Sequence, residues 1–380
     1  MALLHLEGFE GLYPEWADSA YFDTTAAKDE VEDWMQSHYR GLFRDGSSRW
    51  SMRRSWDGRG MALAGGPDSG SDDLYLIKIL ETPLSSGTRI TMGCRIKFSN
   101  TSKNNEEIFR ITGNASATSS EARIRLTSNN ALQLQYGTSG TVNTTSNDVF
   151  EDNSWHYIEW QTVLSNTTSG SYEVRVDGVN VMSGSGVRTQ QNSATDAQCF
   201  HIRSTSSSSS DYDELTLYDD WYILDDSGSD NTDFLGPVSI HQREIKSSAT
   251  DQDFATFGGA SNVPASINNI QLEESDATGL EVSNTANERE TLTPYQMFGT
   301  TTNIYGVKLT SRAKTELGYE AIKFKHVVDS NASTDSVSHR SIYDHNRYLT
   351  KMSIFETDPN TSSAWTVNGF NAAEFGMEIE

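Results

Sequence analysis

Residues 213–240 read DELTLYDDWYILDDSGSDNTDFLGPVSI, and the rest of the chain can be placed from them. The first part predicts a strand over 214–224. Leu215, Leu217, Trp221 and Ile223 fall on odd positions and Tyr218 and Tyr222 on even ones. A period of two puts the first set on one face and the tyrosines on the other, so both faces carry apolar surface. A strand reads this way when one side meets a sandwich core and the other is partly covered. Paired acids bracket it, Asp219-Asp220 and Asp225-Asp226, and a Ser/Gly/Asp turn then leads to Phe234-Leu235-Gly236-Pro237.

Upstream, the same period recurs. TRITMGCRIKF (88–98) places Ile90, Met92, Cys94, Ile96 and Phe98 on one face, the cleanest half-buried strand in the chain. EIFRIT, EARIRLTS, ALQLQYG and SWHYIEWQTVL follow as a meander between 106 and 164. In SYEVRVDGVNVMSG, Asp177-Gly178 between alternating runs marks a tight hairpin. Residues 3–10 read as a first strand, and 24–39 as a short surface helix carrying Ala27, Val31, Trp34 and Met35 at helical spacing.

Three of these stretches, with the exit after 224, resemble a known family. The exit "xDDxYxLDxxGS…FLGxV", the GRGMALAG run (58–65), SWHYIEW and "VRVDGV" resemble the landmarks of concanavalin A-like (laminin-G-like) jelly rolls found in tailed-bacteriophage virion proteins. The closing DPNTSSAWTVNGFNAAEFG resembles the C-terminus of the same phage proteins. The resemblance implies an all-β chain: a concanavalin A-like jelly-roll β-sandwich over 1–240, with first and last strands adjacent in one sheet. A smaller β-rich C-terminal assembly or attachment module follows over 241–380, with a short helix within 365–373. It also implies a virion location, with copies of this chain and other virion proteins as partners.

Composition bounds the function. Of 380 residues, 35% are hydrophobic, or about 38% when glycine is counted in place of tyrosine, against the usual roughly 45–50%. A sandwich, in which alternate residues face inward, closes with so lean a core. The net charge of −24 repels phosphate backbones, and no basic run is longer than Arg53-Arg54, which argues against nucleic acid as partner. The N-terminus lacks a basic and apolar leader, and no apolar run nears the roughly 20 residues that cross a bilayer, so neither a signal peptide nor membrane insertion is expected. Cys94 and Cys199 stand singly in apolar runs, as buried free thiols do.

Catalytic signals are thin. Retaining glucanases of the sandwich fold carry E-x-D-x-x-E on one strand, because alternation brings both carboxylates to one face. Glu274-x-Asp276 and Glu356-x-Asp358 begin that pattern, but Gly279 and Thr361 stand where the second acid belongs. The expectation is therefore a non-enzymatic structural component of a tailed-phage particle, whether tail fibre, tail-associated part or head decoration. A host-surface glycan-binding adhesin is the alternative and a glycoside hydrolase the remote one. The basic and aromatic segment with Trp50, Arg53 and Trp56 is the candidate ligand-binding stretch, set against a reading in which Trp packs and Arg pairs with surplus acid. No cofactor is expected beyond calcium, for which Asp225, Asp226 and Asp230 are the candidates; solvated loop carboxylates are the competing reading.

Overall fold

The computed structural model describes residues 2–9, 42–44, 49–57, 60–66, 73–99, 106–113, 121–127, 131–137, 140–145, 148–191, 196–205, 216–267, 279–283, 285–298, 303–315, 323–339 and 348–380. The expected helix over 24–39, and Glu274 and Asp276, lie outside the described residues. The chain forms two compact units, 1–241 and 242–380.

The first unit is a jelly-roll β-sandwich. Its strands are β1 (Leu3–Glu7), β2 (Leu42–Arg44), β3 (Arg49–Arg54), β4 (Met61–Gly66), β5 (Asp73–Leu84), β6 (Arg89–Phe98), β7 (Glu107–Thr112) and β8 (Ala122–Leu126). There follow β9 (Leu132–Tyr136), β10 (Gly140–Thr144), β11 (Trp155–Val163), β12 (Gly170–Val176), β13 (Val179–Val187), β14 (Ala197–Thr205) and β15 (Thr216–Asp225). One sheet runs β13-β12-β11-β6-β15-β4-β3, with β1 also on β15; the other runs β10-β9-β8-β7-β14-β5-β2. All described pairings are antiparallel, so nearly every strand can alternate between a packed and an outer face.

Between the sheets lies the core. From the first sheet come the expected Ile90, Met92, Cys94, Ile96 and Phe98 of β6, with Ile158 and Trp160 of β11 in register beside them. Phe109, Ile124, Leu134, Phe200 and Ile202 answer from the second sheet. Phe109 stacks on Trp160 across the gap, with ring centroids 6.5 Å apart. Each such fully buried side chain contributes roughly 1.5–3 kcal/mol relative to exposure. Asp177 (φ 51°) and Gly178 (φ 78°) both take the left-handed region in the β12–β13 turn, as a two-residue hairpin requires. Both cysteines are free and buried.

The deciding strand differs from its sequence reading in one respect. Tyr218 pairs with Ile96 and points inward, where its hydroxyl donates to the Arg203 carbonyl of the other sheet. Leu217 pairs with Lys97 on the outer face. Between Asp219 and Tyr222 the register slips, with Asp220 at φ 49°. An extra residue inverts the alternation, so Ile223 faces inward beside Met92 while Tyr222 lies outward over Gly93. A Cβ on Gly93 would stand 2.2 Å from the Tyr222 ring, which is why glycine occupies the centre of β6. The bulge also divides the far edge of β15: Thr216, Leu217 and Tyr218 pair with β4, whereas Trp221 to Leu224 pair with β1.

After β15 the chain returns as a strap across the outer face of the first sheet. The N–H of Gly236 donates to Glu159 Oε1 (2.9 Å) and that of Ile240 to Asp220 Oδ1 (2.6 Å). Arg95 donates to the Val238 carbonyl (3.1 Å) and Arg89 to that of Thr232 (3.1 Å). The Arg175 guanidinium lies 3.9 Å from the centre of the Phe234 ring.

The second unit holds β16 (Ile245–Gln252), β17 (Ala255–Phe257), α1 (Val263–Ile267), β18 (Gly279–Glu281), β19 (Arg289–Pro294), β20 (Val307–Ala313) and β21 (Phe324–Ser330). It continues with β22 (Ser333–Ser338), β23 (Leu349–Phe355), β24 (Thr357–Asp358), β25 (Ser363–Ala364), α2 (Val367–Ala372) and β26 (Glu374–Ile379). Its main sheet runs β16-β19-β26-β21-β22. One apolar cluster gathers Val328, Phe355, Trp365, Phe370 and Phe375; another gathers Phe254, Phe324 and Ile379. The helix expected within 365–373 is α2. Thr366 caps it, its hydroxyl accepting from the Gly369 N–H at 3.0 Å.

Candidate functional site

On the outer face of the second sheet, cross-strand pairing assembles charges that are scattered in sequence. Arg110 of β7 stands opposite His201 of β14 on one side and Arg123 of β8 on the other. Arg125 stands opposite Glu107 and Gln133, Arg123 opposite Gln135, and Arg203 opposite Tyr75. Paired residues share a face, so the inward apolar positions of these strands place all of these side chains outward.

Glu107 is the hub. Its carboxylate meets Arg110 Nε at 2.5 Å and Nη2 at 2.8 Å, Arg203 Nη1 at 2.8 Å and Arg123 Nη1 at 3.1 Å. Burial pushes its pKa up, but the charges of Arg203, Arg110 and Arg123 outweigh that and hold it below the usual carboxylate value. The Tyr75 ring lies 4.5 Å from the Arg203 guanidinium and 5.3 Å from that of Arg110. Arg123 Nε also donates to Gln135 Oε1 (2.9 Å), and Gln135 to Gln133 Oε1 (2.6 Å).

Among the described residues Arg110, Arg123 and Arg203 gather on the Glu107 carboxylate, with Arg125 opposite it in register. Arg125 has its pKa lowered by burial and then by the repulsion of Arg123, and its buried Nε has no hydrogen-bond partner. His201 is fully buried, its Nε2 3.0 Å from Thr112 Oγ1 and its Nδ1 without a partner. Burial, followed by the charge of Arg110, lowers its pKa to about 3, so the imidazole is neutral at physiological pH. Arg123 and Arg203 remain partly open, with side chains 13% and 11% exposed, and Arg125 and Gln133 are half-buried. The accessible rim thus presents planar guanidinium donors and amides, a set suited to carboxylate or sulfate with hydroxyls alongside.

The residues singled out in sequence do not come together. Trp50 is fully buried on β3 opposite Gly65, where no ligand reaches it; it packs in the core. Arg53 is half-buried and donates to the Met52 carbonyl at 3.0 Å. Trp56 is 39% exposed, but Arg95 lies 3.8 Å over its ring while also bound to Asp220 at 2.7 Å. Asp225 is buried and accepts from the Ser227 N–H and hydroxyl (2.9 and 2.7 Å). Asp226 is exposed, and Asp230 accepts from the Ser229 hydroxyl at 3.0 Å. Among the described residues no group of three or more His, Cys, Asp or Glu side chains gathers as a metal-ligand set. Asp358 serves a turn, accepting from the Asn360 N–H at 2.9 Å.

The sequence reading passed over Glu107, Arg110, Arg123, Arg125 and Arg203. The available signal was alternation, with R-x-R in EARIRL and H-x-R in FHIRS putting basic side chains on one face of each strand.

No family model and no curated protein matches the chain. Solved structures do. An alginate lyase from Aplysia kurodai is similar at 12% identity over 59% of this chain and 99% of that one, with a TM-score of 0.41. An endo-β-1,4-glucuronan lyase from the fungus Trichoderma reesei is similar at 14% over 49% and 90%, with a TM-score of 0.37. A carbohydrate esterase from the Shiga toxin-encoding bacteriophage phi24B is similar at 15% over 48% and 89%, with a TM-score of 0.32. At these identities the likeness is one of fold, the jelly-roll sandwich. Against the expectation of a non-enzymatic structural component, several of the similar structures are polysaccharide lyases. That expectation is set aside.

Proposed function

We propose that residues 1–241 form a carbohydrate-binding and carbohydrate-processing sandwich for an acidic polysaccharide, held on the outer face of the second sheet. The carrying observation is the gathering of guanidiniums on that face, with Arg125 Nε left without a hydrogen-bond partner, in a chain whose net charge is −24. A uronate carboxylate would meet the unpartnered Nε of Arg125, with Gln133 and Gln135 meeting sugar hydroxyls. Holding the carboxylate between guanidiniums also makes the proton beside it more acidic. In an eliminative cleavage solvent takes that proton, its electron pair forms the double bond in the sugar ring, and the glycosidic oxygen that departs is protonated from solvent.

The test is incubation of the full chain with polyuronates and, separately, with a neutral glucan. Saturable, salt-sensitive binding of the polyuronate alone is expected, with growth of the ultraviolet absorbance of unsaturated sugar ends. Equal affinity for the neutral glucan would sink the substrate class, and binding without any new chain ends would sink the processing. The ordered landmarks shared with tailed-phage virion proteins support a particle-borne location, with other virion proteins and copies of this chain as neighbours. Detection of the chain in purified particles by mass spectrometry tests that location.

A further inference from the structure

In the second unit, a pair of histidines that plays no part in the proposed polysaccharide site ties one ribbon of the fold to the main sheet. β20 and β23 pair with each other, apart from that sheet. Their apolar side chains complete both clusters of the unit. Val307 and Leu309 pack on the cluster of Val328, Trp365 and Phe375, and Ala313 and Leu349 on that of Phe254, Phe324 and Ile379. Between the two apolar contacts stands a polar one. Ser311 of β20 and Ser353 of β23 flank the His326 ring of β21, each at 2.8 Å, from Nε2 and Nδ1 respectively. His339, just after β22, completes the cluster, with Nε2 2.9 Å from His326 Nδ1 and 3.0 Å from Ser353 Oγ. The two rings meet edge to face at 4.4 Å.

Two ring nitrogens facing each other at this distance have room for one proton between them. A second proton would set N–H against N–H and bring like charges together. His326 and Ser353 are buried and His339 is half-buried, so water screens such charges poorly. Among the described residues no carboxylate bonds to His326, whose partners are Ser311, Ser353 and His339. In register it stands opposite Met377 of β26 and Val337 of β22. The other charged groups on the facing sides of the packed strands are Lys351 opposite Ser311, the exposed Asp335 of β22, and Glu290 of β19 beyond Met377. We propose that the His326–His339 pair is an acid-sensitive clasp: neutral, it holds the β20–β23 ribbon on the main sheet, and protonation lets the ribbon lift from the two apolar clusters.

Burial, followed by the charge of His339, lowers the His326 pKa to about 3, against 6.5 for an ordinary histidine. The open form therefore takes up the proton between those values. The clasp is at full strength above about pH 6.5 and weakens as pH falls towards 3, by up to about tenfold in the opening equilibrium per pH unit for one proton. One side of the hinge stays fixed: β21 and β22 are a paired hairpin, and the His339 backbone N–H is tied to the Phe324 carbonyl at 2.9 Å. The ribbon is the part that moves, and its release exposes apolar surface in acid and covers it again on neutralisation.

Hydrogen–deuterium exchange of the full chain, read by mass spectrometry at about pH 8 and about pH 5 and corrected for the chemical exchange rate, tests this. Protection of residues 307–313 and 349–355 should fall about thirtyfold at the lower pH from His326 alone, while β6 and β11 keep theirs. His326→Gln should abolish that loss and His201→Gln should retain it, which separates the clasp from the buried histidine of the sandwich. Equal protection of the ribbon at both pH values in the parent chain would overturn the proposal, as would an undiminished loss in His326→Gln. Should His326→Gln leave the ribbon unprotected already at the higher pH, the half-buried His339→Gln decides. A loss smaller than the parent's then supports the clasp, and one as large overturns it.

Discussion

The two outer faces of the sandwich solve the same problem in opposite ways. Each carries charged side chains on a packed sheet. On the first sheet the charged groups are roofed: Arg95 meets Asp220, Glu159 meets the Tyr222 hydroxyl at 2.5 Å, and the strap over 232–240 adds further donors and acceptors, although the buried Nε of Arg89 has no partner. On the second sheet one carboxylate, Glu107, serves three arginines, while Arg125 stays short of a partner at Nε. A fully satisfied polar network rigidifies a fold, and an unpaired buried polar group in one is costly. The contrast is between a face covered by its own chain and one on which several guanidiniums share a carboxylate.

The strongest way to break the contrast is at its hub. Glu107→Gln leaves guanidiniums converging on a neutral amide, and the expected loss is about 3–5 kcal/mol, read by urea unfolding. Sulfate or polyuronate should restore part of it by supplying the missing charge, which neither would do for a loss of packing alone. Next comes acid. His201 has a folded pKa of about 3 against 6.5 when unfolded, so the unfolded chain binds the extra proton between those values. Its contribution is complete above about pH 6.5 and declines as pH falls towards 3, by up to about 1.4 kcal/mol per pH unit. His201→Gln should flatten the pH profile of the unfolding free energy in that window, and identical profiles would count against a buried neutral imidazole.

On binding, Arg123→Ala/Arg125→Ala should lower polyuronate affinity about a hundredfold, at roughly 1.5 kcal/mol per charge-assisted contact, with a stability loss of about 1–3 kcal/mol from the lost contacts of Arg123 to Glu107 and Gln135. The first face offers the matching control. Gly93→Ala forces the Tyr222 ring aside and should cost about 1–3 kcal/mol in stability without touching polyuronate affinity. Trp56→Ala, which removes the ring beneath Arg95, should cost only about 0.5–1 kcal/mol in stability and likewise leave binding unchanged.

What could be read from the sequence was what depends on neighbours in sequence. The inward set of β6, the Asp177-Gly178 hairpin and α2 after its Thr366 cap follow from local spacing and local backbone chemistry. The face assignment of β15 failed for a local reason that spacing hides. A single residue at φ 49° reverses every side chain beyond it, and nothing in YDDWY announces the slip. The arginine face was hidden for a different reason. Arg110 and Arg203 lie 93 positions apart in the chain, and only the β7–β14 pairing makes them neighbours on one carboxylate. Alternation shows which way each side chain points, but not which strands will stand side by side.

The pairing of β1 with β15 has a consequence for connectivity. Gly8 lies so close to Ile240 that a Cβ there would stand 2.5 Å from its carbonyl oxygen, and Ala2 hydrogen-bonds through its carbonyl to Asp225. The sandwich therefore begins and ends at one place. A short bridge could join those ends while the chain is cut at the exposed Asp177-Gly178 turn, giving a circular permutant with every sheet pairing kept. By the same geometry the whole module can be spliced into a loop of another protein as a cassette, entering and leaving through one narrow gate.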